Sequence, residues 1–248
     1  MATTSITVEE KPLVRYLLGR ADDALVLGHR LSEWTGRAPM LEEELALANI
    51  GLDLIGQARS LYQYAAQCEG MGHDEDDFAY LRDPSQYLNV LLVEQPNGDF
   101  AHTIVRQVLY SAFADPYWRA VMQAPDQTLG AIAAKSEKES AYHLRHASEW
   151  LIRLGDGTPE SHRRAQAALD ALWPYAGELF DADTGPLDPS TLRPGWERTL
   201  AGLLTRSTLV RPADWVQRGG RAGRHSEHLG HLLAAMQHLP RSFPGATW

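Results

Sequence analysis

The stretch Glu44–Ala66, ELALANIGLDLIGQARSLYQYAA, constrains the chain more than any other. It holds no proline and is apolar on nearly every side, whereas a surface helix shows one apolar stripe. It therefore reads as a helix buried inside a bundle. Polar residues interrupt it too often for a membrane span. The interruptions are ordered: Asn49, Asp53 and Gln57 recur every fourth residue and stack on one face, which Ser60 and Tyr64 continue. A polar seam in a core is costly unless each group finds a partner. Two arrangements satisfy it: a matching seam on a neighbouring helix, or a metal.

The rest of the chain reads as more helices. Residues 1–12 are polar and end at Pro12, the pattern of a flexible N-terminal arm. Leu13–Trp34 has helical periodicity and stops at Gly36 and Pro39. Asp22, His29 and Glu33 share one of its faces, with Asp23 beside it. Glu42, Glu43 and Glu44 open the next helix, where acidic residues suit the positive end of the dipole. Gln67–Gln95 is a long connection with a short apolar segment, LNVLLVE. Asp99 is a plausible N-cap for a helix over Phe100–Met122, bent near Pro116. Gln127–Leu154 is a fourth long helix. Pro159–Phe180, kinked at Pro174, and a segment from Pro189 to Leu209 follow. The basic, glycine-rich RGGRAGRH of Arg218–His225 precedes a last helix, His225–Leu239, and an irregular tail from Phe243 to Trp248. No alternating strand pattern or internal repeat occurs. The expectation is all-α: residues 13–248 as one ferritin-like domain, a four-helix bundle with a long crossover and two or three additional C-terminal helices.

Composition narrows the function. A net charge of −9 leaves no overall basic footprint for nucleic acid. The single cysteine, Cys68, excludes an intrachain disulfide and any thiolate metal cluster, which fits the cytoplasm. The N-terminus lacks the apolar core of a signal peptide, and no window is apolar enough to enter a membrane.

A four-helix core with a long crossover invites a test for two irons. Such centres take one Glu from each of two helices and a Glu-x-x-His from each of the others, because irons about 3.5–4 Å apart need bridging carboxylates to neutralise charge. None of the ten histidines has Glu three residues before it. The nearest match is Asp99-x-x-His102, at the start of its helix. Asp53 occupies a natural ligand position, but Gly56 follows three residues later. His143 is well placed, but Ser140 stands where the carboxylate belongs, and Glu139 is about 100° round the helix. The matching position on the third helix is near Arg106, a cation that would oppose an iron pair. Asp23, Asp53, Gly56, Arg106, Ser140 and His143 thus mark a degenerate di-iron site. Asp23, Asp53, Arg106 and His143 are expected to form one buried polar network in its place.

The stretches LALANIGLDLIGQAR, LLVEQPNGDFA, KESAYHLRH, ELFDAD and HSEHLGHLLAAMQHLPRSFPG make the chain resemble, over nearly its full length, the non-catalytic C subunits of bacterial ring 1,2-phenylacetyl-CoA epoxidases. The resemblance implies a ferritin-like fold and a catalytic A subunit as partner, carrying the di-iron centre and binding phenylacetyl-CoA. It also implies a small B subunit and a reductase, and a complex that uses dioxygen and NADPH-derived electrons to epoxidise the activated ring. It brings no catalytic residues to this chain. The competing reading is a di-iron oxygenase with unusual ligands, in which Asp53 and His143 keep one iron. A ferritin-like storage protein would need a complete ferroxidase site and is the weakest reading.

Two further features have sharp and plain readings. His225, His228 and His231 fall on one arc of a helix and are a possible weak metal site, though capping and interhelix hydrogen bonds account for them better. Arg221 and Arg224 precede a helix N-terminus, where they are a possible anion or partner contact, for example to the phosphates of CoA on a neighbouring subunit. A mobile surface loop is the plainer reading of that segment.

Overall fold

The computed structural model describes residues 5–9 and 11–246. Helix α1, Pro12–Ser32, begins at a proline whose missing N–H costs nothing in the first turn. Helix α2, Leu41–Glu69, opens on its three glutamates and ends at Gly70 in the left-handed conformation, φ 75°. The two helices lie closely together where Gly28 meets Gly51. A Cβ on Gly28 would stand 3.1 Å from the Gly51 carbonyl oxygen, and one on Gly51 3.3 Å from that of Gly28.

The long connection contains α3, Glu75–Tyr80, capped by Asp74, and the single turn α4, Leu91–Glu94. Helix α5, Phe100–Val121, is capped as expected by Asp99, which accepts the His102 N–H at 2.9 Å, and runs through Pro116. Helix α6 covers Gln127–Gly155. α1 packs on α2, α5 on α6, and α2 faces α6, which gives two hairpins joined by a crossover, the ferritin-like arrangement. Helices α7, Pro159–Ala176, and α8, Arg193–Arg206, pack against the α5–α6 hairpin. Helix α9, Glu227–Ser242, packs against α3. One buried apolar cluster extends from Val14 to Leu233.

Several expectations change. Residues 1–4 and 10 of the expected arm, and the end of the expected tail at 247 and 248, lie outside the described residues. Residues 5–9 lie against the body: the Ile6 N–H donates to Leu81 O and the Glu9 N–H to Glu69 Oε1, both at 3.0 Å. The helix expected over Pro159–Phe180 tightens into a 3-10 turn at Gly177–Phe180, just after Pro174. The segment expected from Pro189 begins as another 3-10 turn and becomes helical at Arg193. The largest correction concerns α2, which is not buried all round. Leu41, Leu45 and Leu52 are 68%, 57% and 67% exposed, because α1 and α6 cover only part of its circumference.

Candidate functional site

The polar seam of α2 meets a polar seam on α6. His143 Nε2 lies 3.0 Å from Asp53 Oδ2, the Gln57 amide donates to Glu139 at 2.8 Å, and His146 Nε2 lies 2.9 Å from Glu43. The Tyr64 hydroxyl donates to Asp126. Seam against seam is therefore the arrangement found. Asn49 points to solvent instead, and Ser60 donates back to the Gly56 carbonyl of its own helix.

The expected network of Asp23, Asp53, Arg106 and His143 does not form. Asp53 pairs with His143, while Asp23 and Arg106 each engage other groups. Arg106 is fully buried and turns toward the connection, donating to Gln95 O and Asn97 Oδ1. Burial, with Arg30 nearby, pulls its pKa down to about 9, so it stays charged at neutral pH. The space a side chain at Gly56 would fill has Lys135 Nζ 3.7 Å from the Cβ position. Ser140 is buried and brings no carboxylate.

The core carboxylates converge on the crossover. Tyr87–Val90 is irregular backbone, at most 8% exposed, leading into α4. Buried backbone outside regular structure must find side-chain partners, since water does not reach it. Three carboxylates accept its N–H groups, and a fourth ties it to a side chain and to a distant loop. Asp22 accepts the Leu88 N–H at 2.7 Å, Asp23 that of Val90 at 2.8 Å, and Glu178 that of Leu91 at 2.8 Å. Glu94 accepts the Asn89 amide at 2.9 Å and the Ser226 N–H at 2.7 Å. Cations serve the carbonyls. Arg221 donates to Leu88 O at 2.7 Å, and Arg30 to Glu94 O at 2.8 Å.

Three of these acids are matched by a basic group. Arg82, fully buried, takes Asp22 with both Nη atoms, and the Tyr62 hydroxyl donates to the same carboxylate. Such bidentate pairing is the strong form of an ion pair. Arg221 grips Asp23 with both Nη atoms, and burial still raises the Asp23 pKa against the pull of Arg221 and Arg20. His225 lies between two acceptors, 2.7 Å from Glu94 Oε2 and 2.9 Å from Tyr87 O. Both ring nitrogens must donate there, which only the imidazolium can do. Burial alone would lower its pKa, but the hydrogen bond and charge of Glu94 and the Tyr87 carbonyl raise it.

The remaining candidates separate in the same way. His225 lies ahead of α9, with both ring nitrogens taken; His228 is half-buried and His231 is exposed. The three do not assemble as ligands. Arg221 is turned inward onto Asp23, Gly19 O and Leu88 O, so it is not an outward anion contact. Arg224 remains exposed. The loop is seated rather than free: Glu178 accepts the N–H of Gly219 at 2.9 Å and of Arg221 at 3.2 Å. A Cβ on Gly220 would stand 2.0 Å from Asn89 O, so only glycine lets the loop lie on the crossover. Among the described residues no three His, Cys, Asp or Glu side chains gather as a set able to hold a metal ion. The donor set does not fit an iron pair: Asp23 is taken by Arg221 and the Val90 N–H, Asp53 stands as a single carboxylate beside His143, and Gly56, Arg106 and Ser140 supply no carboxylate.

Sequence reading missed Glu94, Glu178, Arg82 and the roles of Asp22 and Arg221. One signal was present, the adjacent acids Asp22 and Asp23 within the apolar run of α1.

A family model described as phenylacetic acid catabolic protein matches residues 1–248. The chain is also similar to the C subunit of the 1,2-phenylacetyl-CoA epoxidase of Escherichia coli (strain K12). The two are 48% identical over 246 residues, covering 95% of this chain and 99% of that protein.

Proposed function

From the premise that the chain belongs to the phenylacetic acid catabolic protein family, we propose that it is a structural, non-catalytic subunit of a phenylacetyl-CoA epoxidase. It binds and stabilises a catalytic A subunit that carries the di-iron centre, in a complex completed by a small B subunit and a reductase. The complex uses dioxygen and NADPH-derived electrons to epoxidise the ring of phenylacetyl-CoA. This chain contributes no residue to that chemistry and holds no cofactor. The observation that carries the reading is the commitment of its core carboxylates. Asp22, Asp23, Glu94 and Glu178 hold the crossover, where a catalytic ferritin-like subunit would direct acids at metal. A cytoplasmic location goes with this reading. Among the described residues no helix is long and apolar enough to cross a membrane.

The test is elemental analysis of the chain purified alone and co-purified with the A subunit, with epoxidation assayed on both. The expected result is no stoichiometric iron and no turnover for the lone chain, and about two irons for each pair of subunits in an active complex. Stoichiometric iron on the lone chain, lost in Asp53→Ala, would overturn the proposal and leave Asp53 and His143 as ligands of an oxygenase.

A further inference from the structure

A cavity of about 280 Å³ lies between the first turns of α1 and the segment 182–184 beyond the Gly177–Phe180 turn. Its wall holds Arg15, Tyr16 and Arg20 of α1, Leu88 of the crossover, Asp183, and Arg221 of the glycine-rich loop. A second cavity, of about 290 Å³, shares Arg15 and Leu88 and adds the aliphatic Val8, Val14 and Leu18. Glu9, the acid in that second wall, is paired with Lys11 at 2.9 Å. One side of Arg15 thus carries the other cations, and the opposite side the branched aliphatic side chains.

The first cavity is bordered by hydrogen-bond donors that no group of the described residues takes up. The Arg20 side chain is 4% exposed, yet its one hydrogen bond goes to Asp183; its Nη1 stands 3.7 Å from Asp23, beyond hydrogen-bond range. Arg15 donates to Arg221 O at 2.6 Å and pairs with no carboxylate among the described residues. Tyr16, 3% exposed, and Tyr117 bond only to each other, at 2.8 Å. Two hydroxyls hold two hydrogens and that bond uses one, so the other has no acceptor among the described residues. Burial raises the Tyr16 pKa, which keeps it a neutral donor. Buried donors left over in this way are costly, and an acceptor in the cavity relieves the cost. Charge sets the kind of acceptor. Asp183 is held by Arg20 and by the Gly185 N–H at 2.8 Å, and Asp23 is held by Arg221. Arg15 is left as the one unmatched cation in the wall, and a single negative charge balances it. A phosphate monoester, at about −1.5 to −2, would set surplus charge against Asp183. A carboxylate brings one charge and two acceptor oxygens.

We infer that this cavity binds a small organic monocarboxylate, with its oxygens on Arg15, Arg20 and the Tyr16 hydroxyl and its apolar body against Leu88 and the neighbouring aliphatic side chains. Such binding asks nothing of the subunit role proposed above and gives the chain a small-molecule site of its own.

The full-length chain is titrated calorimetrically with benzoate, with benzamide, which keeps the shape without the charge, and with inorganic phosphate. Benzoate should saturate one site with a Kd of about 1 mM or below, and benzamide should bind about tenfold more weakly or not at all. Arg15→Gln should weaken benzoate about tenfold and Tyr16→Phe about threefold. Arg37→Gln, the same charge change at an exposed arginine beyond the other end of α1, should leave the affinity within about twofold of wild type. Circular dichroism melts confirm that each variant folds; Arg15 is exposed, so its replacement keeps the test open even where Tyr16→Phe destabilises the chain. Absence of saturation up to about 10 mM benzoate overturns the site. Phosphate binding tighter than benzoate overturns the monocarboxylate. Benzoate affinity unchanged in Arg15→Gln places the ligand elsewhere and overturns the location.

Discussion

Glu178 offers the most direct test of the claim that core acids hold the crossover. Its side chain is buried and its two oxygens accept three backbone N–H groups: Leu91 at 2.8 Å, Gly219 at 2.9 Å and Arg221 at 3.2 Å. Glu178→Ala strands all three. A buried donor without an acceptor costs about 1–3 kcal/mol. Leu91 and Gly219 are buried and bear most of that cost, while Arg221 is half-buried and recovers some by meeting water. The sum is about 3–6 kcal/mol, which in a protein of this size lowers Tm by roughly 6–24 °C. Glu178→Gln keeps the shape and one carbonyl but turns an NH2 toward a backbone donor, so it should fall between alanine and wild type. Urea unfolding followed by far-UV circular dichroism reads the change as a shift of midpoint at unchanged m. A loss under about 1 kcal/mol for Glu178→Ala, the size of a surface substitution, would refute the reasoning.

Gly220→Ala should cost about 1–3 kcal/mol or more in the same assay, because its Cβ would lie 2.0 Å from Asn89 O and lift the loop from the crossover; an unchanged midpoint would show the loop is not seated. His225 makes stability depend on pH with a definite sign. Its folded pKa is raised, so its contribution is complete below the unfolded value of about 6.5 and is lost as pH rises through the higher folded value. Urea midpoints should therefore fall from pH 6.5 upward, and His225→Gln should flatten that limb. His29 and His102, lowered first by burial, act on the other side: their contribution is present above about 6.5 and fades as pH falls. Asp53→Ala should cost less than about 1 kcal/mol, since the Asp53 carboxylate is 36% exposed and such pairs are screened; a loss above about 2 kcal/mol would give that pair a core role it does not have here.

The helices were legible because each carries its own punctuation. Proline starts α1 and α7 and Asp99 caps α5, all local signals, whereas α2 runs on to Glu69 and stops at Gly70, past the end expected at Ala66. The lack of any Glu-x-x-His was legible too, as residues missing from a fixed spacing. The polar system that holds the crossover was not. Asp23 and Arg221 are 198 residues apart, and Glu178 and Leu91 are 87 apart. No periodicity links such positions; only the packed bundle does. Glycines 219, 220 and 223 looked like freedom for the loop. Gly220 and Gly223 instead allow contact, with Asn89 and Ser85 where a Cβ would go. The reading of α2 as wholly buried erred because periodicity reports that a face is apolar, not whether the rest of the chain packs on it.

The seated crossover also dictates when the protein can be finished. Leu88 and Val90 emerge from the ribosome soon after Asp22 and Asp23, but Arg221 joins them 133 residues after Leu88, and His225 reaches Glu94 across 131. Until those residues arrive, the α1–α2 hairpin and the crossover hold buried acids with no cation from the loop and carbonyls with no donor. Contacts this distant in the chain form slowly, because closing the loop costs entropy before any contact offsets it. The RGGRAGRH loop supplies the last of these partners to be made: without it Asp23 lacks its two-pronged cation, Leu88 O its donor, and Glu94 its imidazole.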